Sequence, residues 1–216
     1  MTDALISSKA LLLTENFKNS PPATRVFHRR SGQHFNISFR TLDLPADYSF
    51  LHQWVNDPGA KQFWQMDGPL AKLQKAFEAN QQQAGYHSFI GCLNDNPVCQ
   101  ADVYHLLEDE LALHVNATEN DYGIHFLMAP LTGEKIPHLS VCCMQNFLSF
   151  LFSFNRTERI FGEPDFQNSR ARKLVLKAGF DYLHPIKLSG KTAGLYCCTR
   201  DRFKLQPKYV LTALNG

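Results

Sequence analysis

Hydrophobic positions along this chain switch repeatedly between a period of two and a period near 3.6. Ile37–Leu42 alternates apolar and polar and predicts a strand. From Asp43 to Asn56, Tyr48, Leu51, His52, Trp54 and Val55 return at helical spacing, and Asp57-Pro58-Gly59 stops that helix. Pro69 suits a first helical turn, and Leu70, Leu73, Ala76 and Phe77 give the following helix one apolar face. His87–Leu93 and Pro97–Tyr104 flank Asn94-Asp95-Asn96 and predict a hairpin. Leu111–Val115 reads as a further strand or strand edge, and Tyr122–Ala129 as the central strand.

In the second half, Leu139, Cys143, Phe147, Leu151 and Phe154 mark a long, mostly buried helix. A short strand is expected at Arg159–Gly162. Asn168 then offers an N-cap, Ala171, Leu174, Val175 and Ala178 a core face, and Gly179 the left-handed residue that ends the helix. Phe180–Ile186 and Gly194–Thr199 are the closing strands. Residues 1–35 are polar, with Pro21-Pro22 and the basic His28-Arg29-Arg30, and predict an arm or small hairpin. Residues 36–216 are expected to form one mixed α/β domain, with no internal repeat.

Composition narrows the class without naming a function. Of 216 residues, 44% are apolar and 19% charged, which are ordinary values for a globular chain with a substantial core. A formal charge of +2 makes no case for nucleic acid or a membrane surface as partner. No apolar run is long enough to span a bilayer, and Ser and Lys break the N-terminal apolar clusters, against a secretory signal. A cytoplasmic protein is expected. Among the six cysteines, the adjacent pairs Cys142-Cys143 and Cys197-Cys198 are poorly placed for disulfides, and no metal-ligand spacing occurs. They read as reduced, mostly buried small apolar residues, and no metal site is expected.

One segment carries candidate chemistry. Asp121-Tyr-Gly-Ile-His125-Phe-Leu-Met-Ala-Pro130 sets a single histidine inside an apolar strand, and Gly162-Glu163-Pro164-Asp165 follows the next strand. A strand histidine and an acid on the loop after the neighbouring strand can meet at a sheet's edge, as an acid–base pair for acyl transfer. The plainer reading makes His125 a satisfied structural histidine and Asp165 a turn acid before a helix.

Three blocks carry a resemblance: His52-Gln-Trp54-Val-Asn56-Asp57-Pro58 with Phe63-Trp64, the His125 strand through Pro130, and Glu163-Pro164-Asp165 with Asn168-Ser169-Arg170. Together they resemble the GNAT acyltransferase superfamily over about residues 37 to 200. More narrowly they resemble its siderophore-biosynthesis branch, the aerobactin-type N-hydroxylysine acetyltransferases and the N-hydroxydiamine acyltransferases. The resemblance implies a GNAT-like domain whose central sheet is mixed and mostly antiparallel, flanked by helices. It also implies acetyl-CoA or succinyl-CoA as donor and an N-hydroxylated lysine, cadaverine or putrescine as acceptor. The product that the resemblance implies is a hydroxamate, expected to form by direct transfer in a ternary complex, and the implied functional links are an amine hydroxylase and a siderophore synthetase.

Site residues follow from the same resemblance. His125 is the candidate base, and Asp165 either orients it or holds the hydroxylamine. The backbone of Phe126, Leu127 and Met128 is expected to pair with the pantetheine amides, and Gly133, Lys135 and Ile136 to meet the pyrophosphate. Asn168 is assigned to the pantetheine arm and Lys173 to a CoA phosphate. Trp54, Asn56, Phe63 and Trp64 are expected to wall the acceptor pocket, with Asp102 and Tyr104 receiving a far ammonium. The chain departs from the family in two places. The loop Pro130–Pro137 has one glycine where a Gly- and Arg-rich phosphate loop is usual. Asp102 stands where a longer acid is expected. The alternatives are a general amine or aminoglycoside N-acetyltransferase, disfavoured for want of a dense acidic cluster, and a catalytically silent GNAT-like binding module.

Overall fold

In the computed structural model, which describes residue 17 and residues 20–83, 85–130, 133 and 135–212, the alternating segments pair into one eight-stranded sheet. The strands are β1 (Arg25–Ser31), β2 (Phe35–Thr41), β3 (Tyr86–Leu93), β4 (Asn96–His105), β5 (Asp121–Met128), β6 (Arg159–Gly162), β7 (Asp181–Lys187) and β8 (Thr192–Thr199). Their order is β1-β2-β3-β4-β5-β6-β8-β7. Every neighbouring pair is antiparallel except β5–β6. This is the mixed, mostly antiparallel α/β architecture expected.

Helices cover both faces. On one lie α1 (Leu44–Asn56) and α3 (Leu70–Gln82), joined through the short α2 (Pro58–Trp64). Leu51, Trp54, Val55, Leu73 and Phe77 of this layer pack on Ile90, Cys92 and Leu127 of the sheet. On the other face α4 (Leu139–Leu151) buries Val141, Cys143, Phe147 and Leu151 against Phe39, Phe89, Val103 and Ile124. A helix in this position is required, because the parallel β5 and β6 need a crossover connection. The chain continues through α5 (Ser169–Ala178), which Asn168 caps by accepting the Ala171 N–H and which ends at Gly179 with φ 119°. It closes with α6 (Arg200–Leu205).

Two local expectations change. Glu110–His114 forms a 3₁₀ turn where Leu111–Val115 predicts a strand. Asp109 caps it by accepting the Leu111 N–H, and Leu113, which a strand facing the core would bury beside Leu111, is 85% exposed. Asp57 does more than stop α1, since its carboxylate accepts the Gly59 N–H and starts α2. The predicted N-terminal arm, as far as it is described, contributes β1, which pairs with β2 at the sheet's edge; residues 1–16 fall outside the described part.

The feature that positions the site is a fork in the sheet. Strands β5 and β6 pair only at Asp121↔Arg159, Tyr122↔Ile160 and Gly123↔Phe161. Past that point β5 stays with β4 as far as Met128. The chain after β6 instead follows β8, with the Gly194 N–H on Pro164 O at 3.0 Å and the Phe166 N–H on Thr192 O at 2.9 Å. The closed end of the fork is clamped by Arg159, whose Nε and Nη2 reach Oδ1 and Oδ2 of fully buried Asp121 at 2.9 and 2.5 Å.

Candidate active site

Register determines which side chains meet in the fork. Asp102 of β4 stands opposite His125 of β5, so both point to the same face. In the parallel pair, residues 121 and 123 stand level with 159 and 161; continuing the count by two puts His125 level with Glu163. His125 Nε2 lies 3.2 Å from Glu163 Oε1, and its Nδ1 lies 4.0 Å from Asp102 Oδ2. The Tyr104 hydroxyl donates to Glu163 Oε2 at 3.2 Å, and Lys191 Nζ to Oε1 at 3.3 Å. Asp102, buried, accepts from the Tyr86 hydroxyl at 2.7 Å and from Gln100 Nε2 at 2.8 Å. The imidazole is therefore flanked by two carboxylates, each anchored by other donors.

Burial pushes the His125 pKa down, but the hydrogen bond and charge of Glu163, with the charge of Asp102, outweigh it, and the value ends above the ordinary 6.5. Burial raises the Glu163 carboxyl, yet His125 and Lys191 together bring it down to about 2. Burial, and then Asp102 or Glu163 nearby, pushes the Tyr86 and Tyr104 hydroxyls well up, so both stay protonated donors. The imidazole thus sits between two carboxylates that favour its protonated form.

These groups line a cavity of about 520 Å³ that passes through the fork. On the α4–α5 side its wall is apolar, made by Ile124, Phe126, Met144, Leu174 and Val175. On the α1–α3 side it meets His125, Trp64, Tyr86, Asp102 and Tyr104. Along this passage β5 from Ile124 onward has no strand partner on its β6 side among the described residues, so a row of backbone groups is open to an extended ligand.

Several expected residues take other places. The carboxylate on the imidazole is Glu163. Asp165 lines the cavity, but its side chain accepts the Gln167 N–H at 2.7 Å, and no hydrogen bond joins it to His125 among the described residues. It lies two residues further along, where the strands have already diverged. Trp54 is buried in the α1–α3 layer, its ring tilted against Phe50 with centroids 4.8 Å apart, and does not line the cavity. Asn56 instead locks the loop before α3, with its Oδ1 accepting the Gly68 N–H at 2.9 Å and its Nδ2 donating to Gly68 O and His52 O. Phe63, Trp64, Asp102, Tyr104, Phe126 and Asn168 do line the cavity. Leu127 faces the α1–α3 layer, and Met128 packs on the α4 core.

Gly133, with φ 96°, and Lys135 are exposed on the loop before α4, Ile136 packs on the core beneath it, and Lys173 is exposed on α5. Glu163, Tyr86 and Lys191 were not assigned roles from the sequence; only the register between β5 and β6 singles out Glu163 over Asp165. The sequence expectation that no dense acidic cluster exists is also corrected. Six carboxylates line the cavity, three of them the consecutive Glu108, Asp109 and Glu110.

Gly123 sits at the apex of the fork beneath the Tyr104 ring, where an added Cβ would meet ring atoms at 2.0–2.3 Å. Gly123→Ala is expected to cost about 2 kcal/mol or more by overpacking. It also turns Tyr104 away from Glu163, so that activity falls further than the folded fraction does. Thermal denaturation with kcat measured on the folded fraction checks this, and an unchanged Tm would refute the close packing.

Residues 43–188 match the protein family described as "Acetyltransferase (GNAT) domain". Among relatives, the chain is 30% identical over 172 residues to an N-hydroxyputrescine acetyltransferase of Acinetobacter baumannii, covering 79% of this chain and 81% of that protein. It is 27% identical to an N(6)-hydroxylysine O-acetyltransferase of Escherichia coli, over 77% of this chain but only 53% of that longer protein. Of solved structures, an uncharacterised protein of Bacillus halodurans superposes with a TM-score of 0.78 at 23% identity, covering 85% of this chain and 94% of that one. The aminoglycoside acetyltransferase AAC(6')-Ib, in complex with paromomycin and acetyl-CoA, superposes with a TM-score of 0.70 at 22% identity, covering 78% and 96%. At those identities the structural likeness speaks for the fold.

Proposed function

Because the chain belongs to the GNAT acetyltransferase family and is an acyl-CoA N-acyltransferase, we propose that it acylates the nitrogen of an N-hydroxylated amine to give a hydroxamate. The observation that carries this reading is the His125–Glu163 pair beside the open edge of β5, within a cavity reached from both faces of the sheet. The relative from Acinetobacter baumannii supports the choice of a hydroxylated acceptor. The donor is acetyl-CoA or succinyl-CoA. Its thioester tail suits the apolar α4–α5 side, where the unpaired groups of β5 offer pairing for an extended amide-bearing chain.

Transfer is direct. The hydroxylamine nitrogen, neutral at pH 7, attacks the thioester carbonyl carbon, the carbon–sulfur bond breaks, and CoA leaves as its thiolate. Glu163 accepts the Nε2 hydrogen bond and keeps the ring oriented, leaving Nδ1 to take the proton lost by nitrogen. Asp102, 4.0 Å from Nδ1, stabilises the imidazolium as it forms. An unpaired β5 amide supplies a donor for the developing oxyanion. A covalent acyl-enzyme finds no support, since all six cysteines are buried and none lines the cavity. On this reading an amine hydroxylase supplies the acceptor and a siderophore synthetase consumes the hydroxamate, in the cytoplasm.

A second reading, acylation of plain polyamines or aminoglycosides, is favoured by the acidic lining. Thiol release from acetyl-CoA and succinyl-CoA, with hydroxylated and plain diamines compared, separates the two. Hydroxylated acceptors are expected to win by at least about 100-fold in kcat/KM, and equal turnover would reject the hydroxylamine reading.

A further inference from the structure

Three segments bring charge to His125. Asp102 comes from β4, with the Tyr86 hydroxyl of β3 behind it; Glu163 comes from the chain after β6; and Lys191 comes from the turn between β7 and β8. Tyr104 of β4 adds a protonated hydroxyl, and Trp64 of α2 a ring edge with centroids 6.2 Å away. Glu108, Asp109, Glu110 and Asp165 line the same cavity, and so does His105, whose Nε2 lies 3.0 Å from Glu119 O.

Two carboxylates beside one imidazole are a poor setting for a base. Each favours the protonated ring, which has no lone pair left to accept a proton. Lys191 is the one lysine in the cavity lining, and no arginine lines it among the described residues. Its Nζ lies 3.3 Å from Glu163 Oε1, the same oxygen that His125 Nε2 approaches to 3.2 Å. The other oxygen, Oε2, takes the Tyr104 hydroxyl. Ammonium and imidazole therefore share one acceptor atom, and positive charge is placed where the ring meets its carboxylate.

The turn that carries this lysine is held in place. Leu188 and Lys191 exchange backbone hydrogen bonds at 2.9 and 3.4 Å around Ser189-Gly190. Glu110 of the 3₁₀ segment accepts the Ser189 N–H at 2.6 Å and the Ser189 hydroxyl at 2.8 Å. The Lys191 side chain is 25% exposed, so its charge is only partly screened by solvent. Its charge acts on both partners, opposing the rise at His125 and helping to depress Glu163.

We propose that Lys191 is a positioning residue of the acyl transfer. By holding its ammonium on the oxygen that orients His125, it offsets one of the two flanking negative charges and keeps the ring available as base while Glu163 still anchors it. This deepens the proposed reaction and rests on His125 being its base. The action of Lys191 runs through Glu163 and the charge at the ring.

The test is the pH profile of kcat/KM, which reports ionisations of the free enzyme. It is measured by thiol release in wild type, Lys191→Met, Lys191→Gln and Lys191→Arg. Losing the lysine charge favours the imidazolium, so the rising limb is expected to move to higher pH in the Met and Gln variants. At about pH 6.5 their kcat/KM then falls about tenfold further than at about pH 9.5. Lys191→Gln keeps a donor for Glu163 and so separates charge from hydrogen bonding, and Lys191→Arg restores the profile. The shift is opposite in sign to that of Glu163→Gln, so a general loosening of the site cannot produce both. A readout free of substrate is the NMR titration of the His125 ring, assigned by the signals missing in His125→Gln; it is expected at higher pH in both neutral variants. A titration that stays in place or moves down, or a Lys191→Arg profile like that of Lys191→Met, overturns the proposal. A ring titration that moves while the activity limb stays removes His125 as base, and with it the role of Lys191 in transfer. Equal turnover of plain and hydroxylated diamines removes only the hydroxylamine reading, because the ring titration is read without either.

Discussion

His125→Gln lowers kcat by about 10²–10⁴-fold, the contribution of a positioned general base. The glutamine amide keeps a donor toward Glu163, which also retains Lys191 and Tyr104, so no buried carboxylate is stranded. The Tm is accordingly expected to move by no more than about 5 °C, which corresponds to roughly 1–2 kcal/mol in a domain of this size. Pre-steady-state thiol release sharpens the test. With no base to receive the proton, the chemical step becomes rate-limiting, while the KM for acyl-CoA is expected to stay near wild type, because the proposed seat of the donor's tail is the apolar α4–α5 side of the cavity. A rate within tenfold of wild type would remove His125 from the proton transfer.

Glu163→Gln moves the pH dependence. His125 must be neutral to accept a proton, so wild-type kcat/KM rises as pH rises through a value above the ordinary 6.5. Burial alone pushes that value down, and the hydrogen bond to the Glu163 carboxylate, followed by its charge, is the largest opposing influence. Without that charge the limb shifts to lower pH, and the plateau rate falls because the ring loses its carboxylate anchor. A limb that stays in place would mean that another group governs it.

Stability follows the same pair with its own sign. The raised His125 pKa contributes stability below pH 6.5 that is lost as pH rises through the native value. The depressed Glu163 pKa contributes stability above pH 4.5 that is lost as pH falls toward 2. Wild type therefore gains most over Glu163→Gln between these limits, on the acid side of its activity limb. Chemical denaturation at pH 5.5 and 9 checks this, a smaller difference at pH 9 being the expected result.

What the chain order settled without coordinates was local. Apolar spacing marks α1, α3 and α4, the Asn168 cap and Gly179 bound α5, alternation marks β2, and the turn at Asn94-Asp95-Asn96 marks the β3–β4 hairpin, because these depend on contacts within a few residues. The three quoted blocks were enough for the family, and one histidine in an apolar strand was enough to single out His125, which lines the cavity between Glu163 and Asp102. A local signal misled at Leu111–Val115, where the expected strand or strand edge is a capped 3₁₀ turn.

Tertiary structure decided the partners. Glu163 and Asp165 are two residues apart and chemically alike, and only the parallel register of β5 and β6 puts the first level with His125. Trp54 and Trp64 are both candidates for a pocket wall, yet the direction in which α1 presents its apolar stripe buries Trp54, and Trp64 at the end of α2 lines the cavity. Lys191 and Tyr86 come from segments far apart in the chain and line one cavity only because the sheet forks. Spacing along a sequence encodes which face a residue takes within its own element. It carries no information about how two elements slide past one another, and it is that offset which brought an imidazole between two carboxylates.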